Sequence, residues 1–144
     1  MKVMLIKNKL VVPTINFLNE MKLKSSQSRM RSKVIRKLMA ICEDMQIQEK
    51  ELGEEFAQRN DNGDLVQAED SNGYLIEPTK KSEYISEYAK FINEDVELQL
   101  EDTTLLPLKE ILENYEGELC KDDAEVYDVL LDFLDEVCNG LEEK

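Results

Sequence analysis

Histidine and tryptophan are both absent from this 144-residue chain, and glycine (5), proline (3) and cysteine (3) are scarce. Without histidine, the chain lacks the Ser-His-Asp and Cys-His arrangements of nucleophilic catalysis, the histidine general base and most kinds of zinc site. The cysteines Cys42, Cys120 and Cys138 are odd in number and have no CxxC spacing, so they predict neither a disulfide framework nor a zinc ribbon. We therefore expect a reducing compartment.

Known catalytic and nucleotide-binding motifs are also missing. The chain contains no GxGxxG, no GxxxxGK[ST] and no HExxH. Its carboxylates include no pair that the sequence marks for general acid–base work. We predict a protein that is not an enzyme and that holds no cofactor and no metal. No apolar run reaches the length of a membrane span and no signal peptide opens the chain, so we expect a cytosolic protein without a membrane partner.

Charge is abundant and unevenly distributed. The 18 Lys and Arg against 32 Asp and Glu give a net charge of −14. Residues 1–40 contain ten basic residues and one acid, whereas residues 41–144 contain eight basic residues and thirty-one acids, so the two parts carry +9 and −23. This balance excludes a uniformly basic nucleic-acid binder. The apolar content of 42% favours a folded chain, and the length suits one domain.

Periodicity predicts the elements of the first half. Residues 3–6 are a short apolar run that predicts a buried strand, and residues 10–21 predict a helix with Pro13 in its first turn. Residues 28–58 predict one long amphipathic helix, whose apolar stripe needs a partner helix or a second copy of the chain. That stripe is formed by Met30, Val34, Leu38, Ile41, Met45, Leu52 and Phe56.

The second half predicts shorter elements. Residues 59–79 form a hairpin excursion with type I′ turns at Asn62-Gly63 and Asn72-Gly73, followed by a helix capped by Ser82. Residues 96–100 alternate as a half-buried strand that can pair with the N-terminal one. Helices follow over 105–115, with Pro107 in the first turn, and from an Asp122 cap to a stop at Asn139-Gly140.

The predicted fold class is α+β and helix-dominated, in a single domain over 1–144. It has one long amphipathic helix, three or four shorter helices, a small pair formed by the N-terminal and central strands, and the hairpin excursion at 59–79.

A basic row begins the long helix. Its members, at three- and four-residue spacing, are Arg29, Lys33, Arg36 and Lys37. Such a row can follow a phosphate backbone, or it can complement acidic residues of the same molecule or of a second copy. The net charge of the chain favours the second interpretation.

An acidic row follows the last helix. It consists of Glu125, Asp128, Asp132, Asp135 and Glu136. Carboxylates about one helical turn apart, or ~5.4 Å, can imitate a strand of phosphates and bind a partner's basic groove. A solvated face is the commoner role of such a row. Tyr84, Tyr88 and Phe91 share another helix face, where core packing is favoured over an anchor for a partner.

Four segments carry a resemblance to a known family. They are Lys7-Asn8-Lys9-Leu10-Val11, Ile15-Asn16-Phe17-Leu18-Asn19, Ser28-Arg29-Met30-Arg31 and Asp123-Ala124-Glu125-Val126-Tyr127. Together they resemble a family of small, uncharacterised proteins encoded by temperate phages of Gram-positive bacteria. The resemblance implies a phage origin and work in the host bacterial cytoplasm, and it transfers no functional residue.

These observations favour a non-enzymatic phage accessory protein that binds a host or phage protein. Its acidic surface suits inhibition of a host defence enzyme or a nucleic-acid-handling enzyme. One alternative is a virion component of the tail or baseplate, or an assembly chaperone, that uses the long helix to pack against a second copy of itself or against a tail protein. A second alternative is nucleic-acid binding through the basic start of the long helix.

Overall fold

The computed structural model describes residues 1–68 and 73–142, with side chains described as far as Cys138. Within that part, five α-helices accompany one two-stranded antiparallel sheet, which confirms the predicted helix-dominated α+β class. The elements in chain order are β1 (Lys2–Lys7), α1 (Asn8–Glu20), α2 (Ser25–Phe56), a 3₁₀ turn (Pro78–Lys80), α3 (Lys81–Ile92), β2 (Asp95–Leu100), α4 (Asp102–Glu113) and α5 (Lys121–Glu142).

The fold contains two compact units. The first unit comprises Met1–Ile41 and Asp95–Lys144, and the second comprises Cys42–Glu94. The boundary between them falls inside α2, so the first part of that helix belongs to the first unit and the rest to the second. The hairpin excursion predicted at 59–79 lies within the second unit.

The sheet joins the two segments of the first unit. Strands β1 and β2 run antiparallel, with Lys2 opposite Leu100 and Lys7 opposite Asp95, which confirms the predicted pairing. Among the residues that the structure describes, only one face of the sheet is covered: the inward side chains of β1, Met4 and Ile6, are buried, whereas Val3 and Leu5 are 46% and 59% exposed. The prediction of a buried strand was therefore wrong for β1, in which buried and exposed side chains alternate.

Helix α5 packs against α1 and α4 in the first unit. On α5, Val126, Leu130 and Leu134 are buried, whereas Phe133 and Val137 are half-buried. Phe17 of α1 lies at the centre of an aromatic group, with its ring edge-on to Tyr115 at 5.7 Å and to Tyr127 at 6.4 Å between centroids. These contacts bury the apolar faces of the helices in one core.

Several helix ends differ from their predictions. Helices α1 and α4 begin earlier than expected, which places Pro13 and Pro107 at the sixth residue of each helix rather than in the first turn. Each proline therefore removes one intrahelical hydrogen bond, the one that the carbonyl of the second residue of the helix would otherwise accept.

Helix α5 begins at Lys121, so Asp122 lies in its first turn and is not the cap. The same helix continues through Asn139-Gly140 to Glu142, and the predicted stop was wrong. A glycine lowers helix stability by only about 1 kcal/mol relative to alanine, and such a residue therefore does not oblige a helix to end.

The excursion in the second unit is held by isolated antiparallel bridges. These bridges join Ala57 to Ile76, Arg59 to Leu65 and Gln67 to Tyr74. The turn after Asn60 is a three-residue loop closed by Asn60 and Asp64, with Gly63 at φ 83°.

A type I′ turn needs positive φ at both central residues, and no non-glycine residue of the described chain has one, so the prediction at Asn62-Gly63 was wrong. Asn72, and with it the second predicted turn, lies outside the described residues.

Arg31 connects the start of α2 to the end of α1. Its Nη1 donates to the carbonyl oxygens of Met21 and of Leu18, the latter at 3.2 Å, and its Nη2 donates to Ser28 Oγ at 3.3 Å. The last carbonyls of a helix lack intrahelical donors, and α1 has no basic residue of its own in its last turn. Arg31, a residue of α2, therefore supplies hydrogen-bond donors to the carbonyls at the end of α1.

We expect Arg31→Ala to lower the free energy of unfolding by about 1.5–3 kcal/mol, because the change removes charged hydrogen bonds to carbonyls of α1. Arg29→Ala, two residues earlier on the exposed side of α2, serves as the control and should change it by less than about 0.5 kcal/mol. Urea unfolding followed by circular dichroism measures both. Equal effects of the two changes would contradict the capping role.

Candidate functional site

The acidic row of α5 lies on the solvent side of that helix. All five of its members, Glu125, Asp128, Asp132, Asp135 and Glu136, are exposed. The opposite side of α5 is buried against α1 and α4, so the helix is held in place beneath its carboxylates. The result is a row of negative charge on a rigid element, with successive members separated by at most about one helical turn.

Asp135 differs from the other four members. Its Oδ1 lies 3.4 Å from Nζ of Lys109, a residue of α4 that is only 8% exposed. Glu113, one turn further along α4, places its Oε1 3.7 Å from the same ammonium. A buried ammonium requires nearby negative charge. Asp135 therefore forms an ion pair that connects α5 to α4. Sequence reasoning did not single out Lys109, because its burial depends on the contact between these two helices.

The other four carboxylates, at 125, 128, 132 and 136, form no ion pair with the residues that the structure describes. Their spacing of three or four residues places them on one side of α5 over ~16 Å. They therefore form the part of the row that is available to a partner.

The basic row lies along the first part of α2. Arg29, Lys33 and Arg36 are exposed, and Arg36 Nε donates to Ser32 O at 3.4 Å. Lys37 is half-buried and donates from Nζ to the carbonyl oxygen of Gln99 in β2 at 2.8 Å. Among the described residues, no carboxylate lies within 4 Å of a charged nitrogen of this row. The structure thus gives Lys37 a contact within the fold and leaves the other three charges facing solvent.

The second part of α2 contributes further carboxylates. Two of them accept hydrogen bonds from tyrosines: Glu49 from Tyr88 at 3.3 Å and Glu54 from Tyr74 at 3.0 Å. The hydrogen bond and the negative charge of Glu54 raise the pKa of Tyr74. Burial, with Glu49 as the second cause, raises the pKa of Tyr84 and of Tyr88. All three phenols therefore stay neutral well above pH 7.

The aromatic face predicted as core on α3 is buried in part. Phe91 is buried, whereas Tyr84 and Tyr88 are half-buried.

In the described part of the chain, no three acidic or cysteine side chains converge as a metal site. None of the helices described there combines the length and apolar character needed to cross a membrane.

We expect Asp135→Lys to lower the free energy of unfolding by about 1–3 kcal/mol, because it sets a second cation beside the buried ammonium of Lys109. Asp128→Lys makes the same charge change two turns earlier on α5 and is the control, with an expected change below about 0.5 kcal/mol. Thermal unfolding at low salt compares the two. A stable Asp135→Lys variant would show that Lys109 does not depend on this carboxylate.

Comparison of the chain with protein-family models, with curated proteins and with solved structures finds no match. The resemblance to proteins of temperate phages therefore stays a prediction from the sequence.

Proposed function

We propose that the protein is a non-enzymatic phage accessory protein that binds a basic surface of a host or phage protein through α5. The binding residues are Glu125, Asp128, Asp132 and Glu136. The observation that carries the proposal is that these four exposed carboxylates form a row with no ion pair to any described residue. A phage origin, and with it the host cytoplasm as the place of action, rests on the sequence resemblance.

The physical basis is a fixed array of charge. Because α5 is held on α1 and α4 by Val126, Leu130 and Leu134, its carboxylates are positioned before a partner arrives. A row of one charge type attracts a basic groove over long range and speeds association at low salt. Enzymes that handle nucleic acid, including those of host defence systems, have grooves of this kind. We propose such an enzyme as the target and inhibition by occupation of its groove as the mechanism.

The deciding experiment compares two variants of equal charge. Glu125→Gln/Asp128→Asn/Asp132→Asn neutralises three of the four proposed binding carboxylates of α5, and Glu43→Gln/Glu51→Gln/Glu55→Gln neutralises three exposed acids of α2. Each changes the net charge from −14 to −11. We expect the immobilised wild-type protein and the α2 variant to capture the same host enzyme from lysate at low salt. The α5 variant should lose at least ten-fold of that capture.

The salt dependence distinguishes the mechanism. Electrostatic capture through α5 should fall steeply in a high-salt wash. Equal capture by both variants would show that the α5 row is not the binding surface. Phage structural proteins retained by both variants at high salt would instead favour the virion or assembly role.

A second candidate function is nucleic-acid binding through Arg29, Lys33 and Arg36, favoured by their exposure without an ion pair to the described residues. For three neutralised phosphates, the logarithm of the affinity for duplex DNA should fall with that of the salt concentration at a slope of about −2.7. Fluorescence anisotropy with a labelled duplex measures the slope. The three changes to Ala should abolish binding, and absence of binding by the wild-type protein at low salt would exclude this function.

A further inference from the structure

A cleft of about 570 Å³ opens in the second unit. Its lining includes Glu49, Lys50 and Gly53 from the second part of α2 and two tyrosines, Tyr74 from the excursion and Tyr84 from α3. The volume lies in the range of small-molecule and side-chain pockets. The aromatic rings distinguish this cleft from the charged faces described above.

Gly53 and Glu54 fix the ring of Tyr74. A Cβ built on Gly53 would lie 3.4 Å from Cδ2 of Tyr74, so the ring rests directly against the helix at its glycine. The Tyr74 hydroxyl donates to Glu54 Oε1 at 3.0 Å. With one end against α2 and the other hydrogen-bonded to it, the ring is held as a wall of the cleft.

The ring of Tyr84 is also held in place, in this case by contacts with neighbouring aromatic rings. Its ring is stacked on Tyr88 at 5.9 Å between centroids and 29° between planes, and it meets Phe56 edge-on at 5.9 Å. Tyr88 in turn donates to Glu49 Oε1, so the carboxylate that lines the cleft is itself oriented. The second wall and the adjacent charge are therefore built before any ligand binds.

The electrostatics of the cleft favour a cation. The face of an aromatic ring carries negative potential and attracts cations, and Glu49 adds a full negative charge. Residues 42–94 contain fourteen acids and five basic residues, so the second unit is acidic as a whole. Among the described residues that line the cleft, Lys50 is the one cation, and it is exposed. A guanidinium is a planar cation, so it can stack on a ring and at the same time donate its in-plane N–H groups to a carboxylate. An ammonium is not planar and combines these two contacts less well.

We propose that this cleft binds a guanidinium group, stacked on the tyrosine walls and hydrogen-bonded to Glu49, and that an arginine side chain of a partner protein supplies it. The site shares no residue with the α5 row, so it stands or fails independently of the function proposed above.

The test uses N-acetyl-arginine-N-methylamide, which presents the side chain as it occurs in a protein, with the lysine analogue as a matched cation. Tyrosine ring signals in NMR spectra report binding at Tyr74 and Tyr84, whereas Tyr115 and Tyr127 of the first unit serve as internal controls. We expect saturable shifts of the first pair, with millimolar affinity for the arginine compound and at least three-fold weaker affinity for the lysine compound. Guanidinium ion alone is the second arm, and tighter binding of the ion would assign the site to a free cation.

Variants locate the binding in the cleft. Gly53→Leu places a side chain where the ring of Tyr74 now lies, so it displaces that wall of the cleft and should abolish the shifts, whereas Gly53→Ala introduces a Cβ at an ordinary contact distance and should retain them. Glu49→Gln keeps an acceptor for Tyr88 but removes the charge, and it should weaken binding at least five-fold. Lys50→Ala should strengthen binding about two-fold, because it removes the opposing charge.

Four results would overturn the proposal: no saturable shift at Tyr74 or Tyr84, equal affinity for the arginine and lysine compounds, tighter binding of the guanidinium ion than of the arginine compound, or wild-type affinity in Glu49→Gln. Circular dichroism spectra establish that each variant is folded. If Gly53→Leu does not fold, the comparison of Glu49→Gln with the wild type still decides the result.

Discussion

The pairing of β1 with β2 is the constraint on which the first unit depends. It sets Lys2 opposite Leu100 and thereby closes a loop that contains α1, α2, α3 and the excursion. A two-stranded ladder is marginal by itself, and closure of a long loop costs chain entropy. Burial of Met4 and Ile6, together with Leu98 on the facing strand, offsets that cost. The sheet is stable because one face of it belongs to the core.

Three basic side chains connect elements of the first unit to one another. Arg31 completes the carbonyl end of α1, Lys109 lies at the contact of α4 with α5, and Lys37 reaches the backbone of β2. These three basic residues make contacts within the fold, in a chain where acidic residues greatly outnumber basic ones. Glu125, Asp128, Asp132 and Glu136 of α5 form no ion pair with any residue that the structure describes, and their side chains are exposed.

The second unit combines acids with aromatic rings. Gly53 lies inside a long helix, where glycine costs about 1 kcal/mol relative to alanine, yet it leaves room for the ring of Tyr74. Glu49 and Glu54 accept hydrogen bonds from tyrosines of later segments and so connect α2 to the excursion and to α3. Glu49 and Tyr74, which take part in these hydrogen bonds, also line the cleft of this unit.

Periodicity in the sequence determined the helix-dominated fold, the long helix and the partnership of the two strands, because alternation and the three-four spacing reflect which side of an element is buried. It also placed Glu125, Asp128 and Asp132 on one exposed face. Tertiary structure alone decided that Asp135 faces Lys109 and that Tyr74 and Tyr84 line a common cleft. Contacts between residues distant in the chain depend on how the elements pack, and no local pattern records that packing.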